Sequence, residues 1–370
     1  MTRALLFILL CVAFSAAVAA QESIVYESGR DGAANYRIPA IIRLKSGKLL
    51  AFAEARKNSA ADFGDNDIVL KISPDNGRTW SAQAVVAENG ELQASNSAPV
   101  VDELDPRFPN GRIFLFYNTG DRNEREVRQG KGKREVWYKT STDEGRTWSD
   151  AVNITSQVKR AGWRAFANTP GHAIQLTRGR HRGRIFVPIN YSKGGPQRDF
   201  SDYMAAGFYS DDHGKTFHIA ADIGLAGSNE ATAAELSNGD VLFNARNQKG
   251  DQKFRITALS GDGGETWGNV GFDTALPDPV CQGSLLTIRG KTIAFVNNAD
   301  QRSRNNLTLR ISLDDGRTWK KSFTVERTDD ANGRDVTAYS DIAVLGRKTI
   351  GVLYERDDYK QIAFKAIKWK

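Results

Sequence analysis

Ser73-Pro-Asp75-Asn-Gly77-Arg-Thr79-Trp80 is the first of five copies of one octet. The others are Ser141-Thr-Asp143-Glu-Gly145-Arg-Thr147-Trp148, Ser210-Asp-Asp212-His-Gly214-Lys-Thr216-Phe217, Ser260-Gly-Asp262-Gly-Gly264-Glu-Thr266-Trp267 and Ser312-Leu-Asp314-Asp-Gly316-Arg-Thr318-Trp319. The aspartates are 68, 69, 50 and 52 residues apart. That is about one four-stranded propeller blade plus variable loops. The octet has the chemistry of a tight hairpin. Its Asp can accept hydrogen bonds from backbone N–H groups, and the Gly two residues on tolerates positive φ. Thr then re-enters a strand, and the aromatic residue packs into the blade core. Each Asp is therefore read as a turn staple and set aside as a catalyst.

Around the octets lie short apolar runs, at 68–72, 113–117, 185–189, 241–244 and 292–296. Their length and alternation are those of strands, and no stretch shows sustained helical periodicity. Strands before the first octet and after the last raise the expected count by one. The expected fold is all-β: a six-bladed β-propeller of four-stranded antiparallel blades with Asp-box turns. Segments 349–354 and 362–367 would close the ring, together with the segment after Gln21. No linker or shift in composition marks a second domain, so 21–370 is read as one propeller.

The first twenty residues are read separately. Arg3 supplies a positive start, Ala4 to Val18 is an almost unbroken apolar run, and small residues lead to Ala20. This is the pattern of a cleavable secretory signal, too short in its apolar part for a bilayer span. A secreted or periplasmic protein is expected. Cys11 would leave with the signal, so Cys281 has no partner for an internal disulfide. The four His fall in no metal-ligand spacing, and no cofactor or metal is expected. With 51 Lys and Arg against 44 Asp and Glu, the chain is modestly basic. That excess fits an anionic partner but forms no nucleic-acid patch.

Tyr36-Arg37-Ile38-Pro39-Ala40, near the start of the propeller, shifts the reading toward chemistry. With the five boxes, this aromatic-Arg-Ile-Pro run resembles the exo-sialidases (neuraminidases), and the resemblance spans the chain after residue 20. It implies hydrolysis of terminal sialic acids from glycoconjugates. A planar carboxylate is best held by guanidinium forks, and the family uses three. The matching positions are Arg37, Arg246 in the segment 230–246, and Arg304 just upstream of the last box. Arg302 and Arg310 are the alternatives to Arg304.

The resemblance further implies a retaining mechanism with a tyrosine nucleophile, the exception to carboxylate nucleophiles among glycosidases. Tyr339, in Ala338-Tyr339-Ser340-Asp341, is the match. A neutral hydroxyl avoids the repulsion that a carboxylate would meet beside the substrate's own carboxylate. Glu230 matches the partner base, with Glu235 the rival. The acid matches Asp62, with Asp65 and Asp67 as alternatives in the same loop. Arg56 resembles a residue assisting carboxylate or acid-loop contacts, and Glu355 resembles the carboxylate that orients Arg37.

Two further features stay open. The basic stretch 122–134 reads as a solvated insertion or as a loop carrying Asp121 or Glu124 toward ligand. Trp163, Phe166, Tyr191 and Tyr203 are candidates to wall the acyl or glycerol side of a sugar. The expected partners are sialylated glycans, with no nucleic acid and no membrane span, and a monomer is expected. A carbohydrate-binding propeller without catalysis, a trans-sialidase and a hydrolase of a related nonulosonic acid are the competing readings, because Asp boxes alone define only a fold.

Overall fold

The computed structural model describes residues 21–329 and 334–370. The predicted signal lies outside the described residues. No helix among them is long and apolar enough to cross a membrane. The molecule is an all-β propeller of antiparallel sheets arranged around a central axis.

Three sheets have four strands in simple order. One holds Ser228–Glu235, Val241–Asn247, Phe254–Ser260 and Gly268–Pro277. The next holds Ser284–Arg289, Thr292–Asn298, Leu307–Ser312 and Lys321–Glu326. The last combines Thr337–Gly346, Thr349–Arg356 and Gln361–Lys368 with the N-terminal strand Glu22–Glu27, which pairs antiparallel with Gln361–Lys368. A fourth sheet is built on Trp163–Asn168, Ile185–Lys193 and Tyr203–Ser210, with two short strands added. The remaining sheet has eight strands and runs from Asn35–Arg43 to Val152–Asn153. Its two halves meet through a single parallel pair, Asn66 with Gln93. Hydrogen bonding thus yields five sheets where box spacing predicts six separate blades. The contact joins the third strand of one unit, Asn66–Ser73, to the first strand of the next, Gln93–Asp102.

Apolar packing follows the gaps between sheets. One cluster joins Phe364 and Leu353 of the last sheet to Leu49 and Ala51 of the first. Another joins Phe114 and Phe116 to Val187 and Phe208. The core is therefore a ring of shared interfaces. On the axis, the fully buried Asp341 carboxylate accepts from Ile41 N (2.8 Å), His172 N (3.0 Å) and Ser284 Oγ (2.6 Å). It also lies 2.7 Å from His172 Nδ1. One buried charge so ties several sheets together, with its lone pairs satisfied as burial requires.

The boxes behave as staples, with a refinement. In all five, the Thr N–H reaches the Asp carboxylate at 2.9 Å. In the first box, Thr79 Oγ1 adds a bond of 2.7 Å to the same carboxylate. The aromatic residue packs into the blade core in three boxes, where Phe217, Trp267 and Trp319 meet Phe208, Phe243 and Phe295 of their own sheets. In the other two, Trp80 packs edge-on against Phe364 of the preceding sheet, and Trp148 against Phe52 of the preceding unit. Two short helices, Glu124–Arg128 and Thr155–Val158, interrupt the otherwise β reading. With five and four residues they are too brief to leave a periodic signal.

Candidate active site

Five of the innermost strands share one irregularity. Register shifts between Arg37 and Ala40, Ser95 and Ala98, Trp163 and Phe166, Ser228 and Ala231, and Thr337 and Ser340. All five bulges lie toward the same end of the axis. A bulge re-aims the side chains beside it. Here it turns strand residues into a cavity of about 310 Å³ lined by Arg37, Arg56, Asp62, Glu230, Arg246, Arg304 and Tyr339. Backbone strain accompanies the geometry: Ile38 has φ 58° and Asn96 has φ 53°. For a β-branched residue such as Ile38, that is an outlier held only by its surroundings.

Glu355 is what holds it. This fully buried carboxylate accepts from Ile38 N at 2.8 Å and from Tyr339 N at 3.0 Å. It also accepts from Arg37 Nε at 2.6 Å. One residue thus fixes the strained bulge, the Arg37 fork and the backbone of Tyr339. Burial alone would favour a neutral Arg37, but the Glu355 charge outweighs it and holds the guanidinium pKa above its ordinary value.

Tyr339 lies at the pocket floor, 7% exposed. Its hydroxyl bonds directly to Glu230 and accepts from Arg246 Nη1 at 3.1 Å. Arg246 Nη1 also bonds the second Glu230 oxygen at 2.8 Å. Burial first, and the Glu230 charge second, push the phenol well above its usual pKa. Tyr339 is therefore protonated at rest. Arg37 and Arg304 stand over its ring, at 5.4 and 5.8 Å from the centroid.

At the rim, Arg56 Nη1 bonds Asp62 Oδ1 at 2.9 Å, and Arg56 Nη2 bonds Glu54 at 2.8 Å. The Asp62 side chain is 84% exposed while Arg56 is almost wholly buried. Glu54 also accepts from Asn96 N at 2.9 Å, across to the neighbouring strand. A buried Glu54–Arg56 pair therefore anchors an exposed carboxylate.

The rival residues go elsewhere. Glu235 binds the Thr177 and Arg178 amides at the other end of its strand. Asp65 and Asp67 both pair with Lys57. Arg310 reaches Asn297 inside its own sheet, and Arg302 is exposed. A larger cavity of about 460 Å³ lies at that far end, lined mainly by apolar strand residues such as Ile42, Val101 and Ile288. It holds neither Tyr339 nor the three arginines, so chemistry favours the smaller pocket.

The basic stretch is not a simple solvated insertion. It contains the helix Glu124–Arg128, and Glu124 lines the pocket while bonding the Tyr203 hydroxyl. Phe166 also lines the cavity. Trp163 stacks on Tyr191 at 3.7 Å, and Tyr191 Oη donates to Asp222. Glu54, Arg134, Tyr359 and Asp335 were not singled out from sequence. For Glu54 a signal existed: in a strand, positions 54 and 56 face the same side, and both are charged in an otherwise apolar run.

Fold and pocket together define a propeller enzyme-like site in which arginines and carboxylates surround one tyrosine. The BNR repeat-like domain family matches residues 47–352. A sialidase of Micromonospora viridifaciens is 33% identical over 350 residues, covering 89% of this chain and 51% of that protein. A Bacteroides fragilis sialidase is 29% identical over 368 residues, covering 94% of this chain and 64% of that protein. The chain thus spans between half and two thirds of the length of these relatives. Among solved structures, Hadza microbial sialidase Hz136 matches with a TM-score of 0.81 at 27% identity, covering 94% of this chain and 68% of that one. A leech intramolecular trans-sialidase shares the fold at a TM-score of 0.75 and 19% identity, covering 95% and 70%. The chain belongs to the sialidase family with BNR repeats.

Proposed function

We propose that the protein is an exo-α-sialidase that releases terminal sialic acids from glycoconjugates with retention of configuration. The observation that carries this reading is Tyr339, hydrogen-bonded to both Glu230 and Arg246 beneath Arg37 and Arg304. A buried hydroxyl with a carboxylate base beside it, under converging guanidinium groups, suits an anomeric carbon that carries a carboxylate.

In the first step Arg37, Arg246 and Arg304 hold the substrate carboxylate. The Tyr339 oxygen bonds to the anomeric carbon as the glycosidic C–O bond breaks. Glu230 takes the phenolic proton, and protonated Asp62 gives its proton to the departing oxygen. In the second step Asp62 takes a proton from water, whose oxygen attacks the anomeric carbon. The Tyr339 oxygen leaves and recovers its proton from Glu230. Two displacements give retention, and no external electron or proton carrier enters.

The same reading treats the eight-stranded sheet as two blades touching at Asn66 and Gln93, which makes six. It treats 21–370 as one catalytic unit, exported behind a cleaved signal and acting as a monomer on sialylated glycans without a cofactor. The test is incubation with an aryl α-sialoside, following phenol release and the first sugar anomer by NMR. Release with the α-anomer first is expected. No release would overturn the activity, and the β-anomer first would overturn the Tyr339 mechanism.

A further inference from the structure

Two guanidinium groups over one tyrosine ring repel each other, and something must set their spacing. The structure puts Tyr359 there. Its ring centroid lies 4.3 Å from the Arg37 guanidinium carbon, within cation–π range. Its hydroxyl accepts from Arg304 Nη1 at 3.2 Å and donates to Asp335 Oδ2 at 2.6 Å. Asp335 also caps Arg304 from the main chain, accepting from Arg304 N at 3.1 Å, and its carboxylate stands 3.7 Å from Arg304 Nε. One aromatic residue therefore contacts two arginines through different parts of its side chain.

The loop that presents Tyr359 is strained. Asp357, Asp358 and Tyr359 have φ of 52°, 54° and 64°, three consecutive non-glycine residues in the left-handed region. A hairpin needed only to join Thr349–Arg356 to Gln361–Lys368 would favour Gly or Asn at such positions. The strain is held from outside: Asn35 Nδ2 donates to Tyr359 O at 2.9 Å, and Ser28 N to Lys360 O at 2.8 Å. Burial first, then the bond to Asp335, keep the phenol protonated and so a donor to that carboxylate.

We propose that Tyr359, braced by Asp335, is a positioning residue that sets the relative placement of Arg37 and Arg304 for recognition of a carboxylate. The inference rests on the reading of these arginines as carboxylate ligands. It is tested with Tyr359→Phe, which keeps the ring under Arg37 and removes the hydroxyl link to Arg304 and Asp335. The probes are a 2,3-unsaturated sialic acid and its methyl ester as competitive inhibitors, with melting temperature recorded alongside. The wild-type protein should prefer the acid, and the variant should lose about tenfold of that preference, the scale of one charge-assisted bond. KM should rise while kcat stays within about threefold. Asp335→Asn should act in the same direction, and the double variant should be no worse than the weaker single. An unchanged acid-to-ester ratio in folded Tyr359→Phe and Asp335→Asn would overturn the inference while leaving the sialidase reading intact. A wild-type protein with no preference for the acid would overturn both.

Discussion

At the residue scale, the decisive relation is between Tyr339 and Glu230. Because burial and the Glu230 charge hold the phenol well above its usual range, the hydroxyl is inert without a group to take its proton. Glu230→Gln keeps a hydrogen-bonding partner of the same shape but cannot accept that proton. It should lower kcat by ~10²–10⁴, the range for loss of a general base, with KM little changed. Tyr339→Phe should be at least as severe while still binding an acidic-sugar inhibitor, measured by calorimetry. Near-wild-type turnover in either variant would remove that residue from the mechanism. Arg37 and Tyr339 were legible because each sits in a short distinctive run. Tyr359 and Asp335 were not: they act through a strained hairpin and a segment near the last inner strand, and neither neighbourhood resembles a motif. Glu54 stood in plain view two residues from Arg56, but its pairing becomes obvious only once that strand is known to be buried on both faces.

At the element scale, the box glycines do two jobs that sequence alone merges into one. Their φ values of 86°, 85°, 78°, 92° and 80° satisfy the turn, as the spacing predicts. Each also lies against a side chain of the preceding blade-like unit. A methyl group on Gly77 would come within 2.1 Å of Phe364, on Gly145 within 2.8 Å of Leu50, and on Gly214 within 2.5 Å of Phe114. The octets were legible as turns because their chemistry is local. Their role as inter-sheet contacts was not, because it depends on partners 74 residues or more away. The bulges were equally hidden: Arg37-Ile38-Pro39 reads as plain strand, and only the tertiary grip of Glu355 forces Ile38 to positive φ. The two jobs of the glycine can be separated. Gly29 has φ 80° with nothing near its missing Cβ, so Gly29→Ala should cost about 1 kcal/mol from φ alone. Gly77→Ala should cost that plus about 1–3 kcal/mol of overpacking. Equal losses for the two in urea unfolding would mean that Phe364 simply moves aside.

At the scale of the whole molecule, the repeated box makes stability depend on pH in a definable window. In each box Asp, burial would raise the pKa, but hydrogen bonds from the Thr amide and hydroxyl and the Ser hydroxyl outweigh it. Asp75, Asp143, Asp212, Asp262 and Asp314 are each pulled from 3.8 down to about 2. A carboxyl whose pKa is lower in the folded state contributes stability that is complete above its unfolded value and lost as pH falls through its folded value. Five such groups in five different turns act together, so the propeller should show level stability above about pH 5 and a steep loss between about pH 4 and 2. His172 works in the opposite sense. Burial would lower its pKa, but the Asp341 charge raises it overall, so its contribution is full below 6.5 and declines as pH rises. The acid limb therefore belongs to the carboxylates and not to the axial histidine. Urea midpoints measured from pH 2 to 8 should show that limb, and replacing Asp75 and Asp314 together with Asn should make it shallower while lowering the plateau. A double variant whose acid limb keeps the wild-type slope would place the acid sensitivity outside the boxes, with Asp105, whose carboxyl is also held low by Arg107, the next group to test.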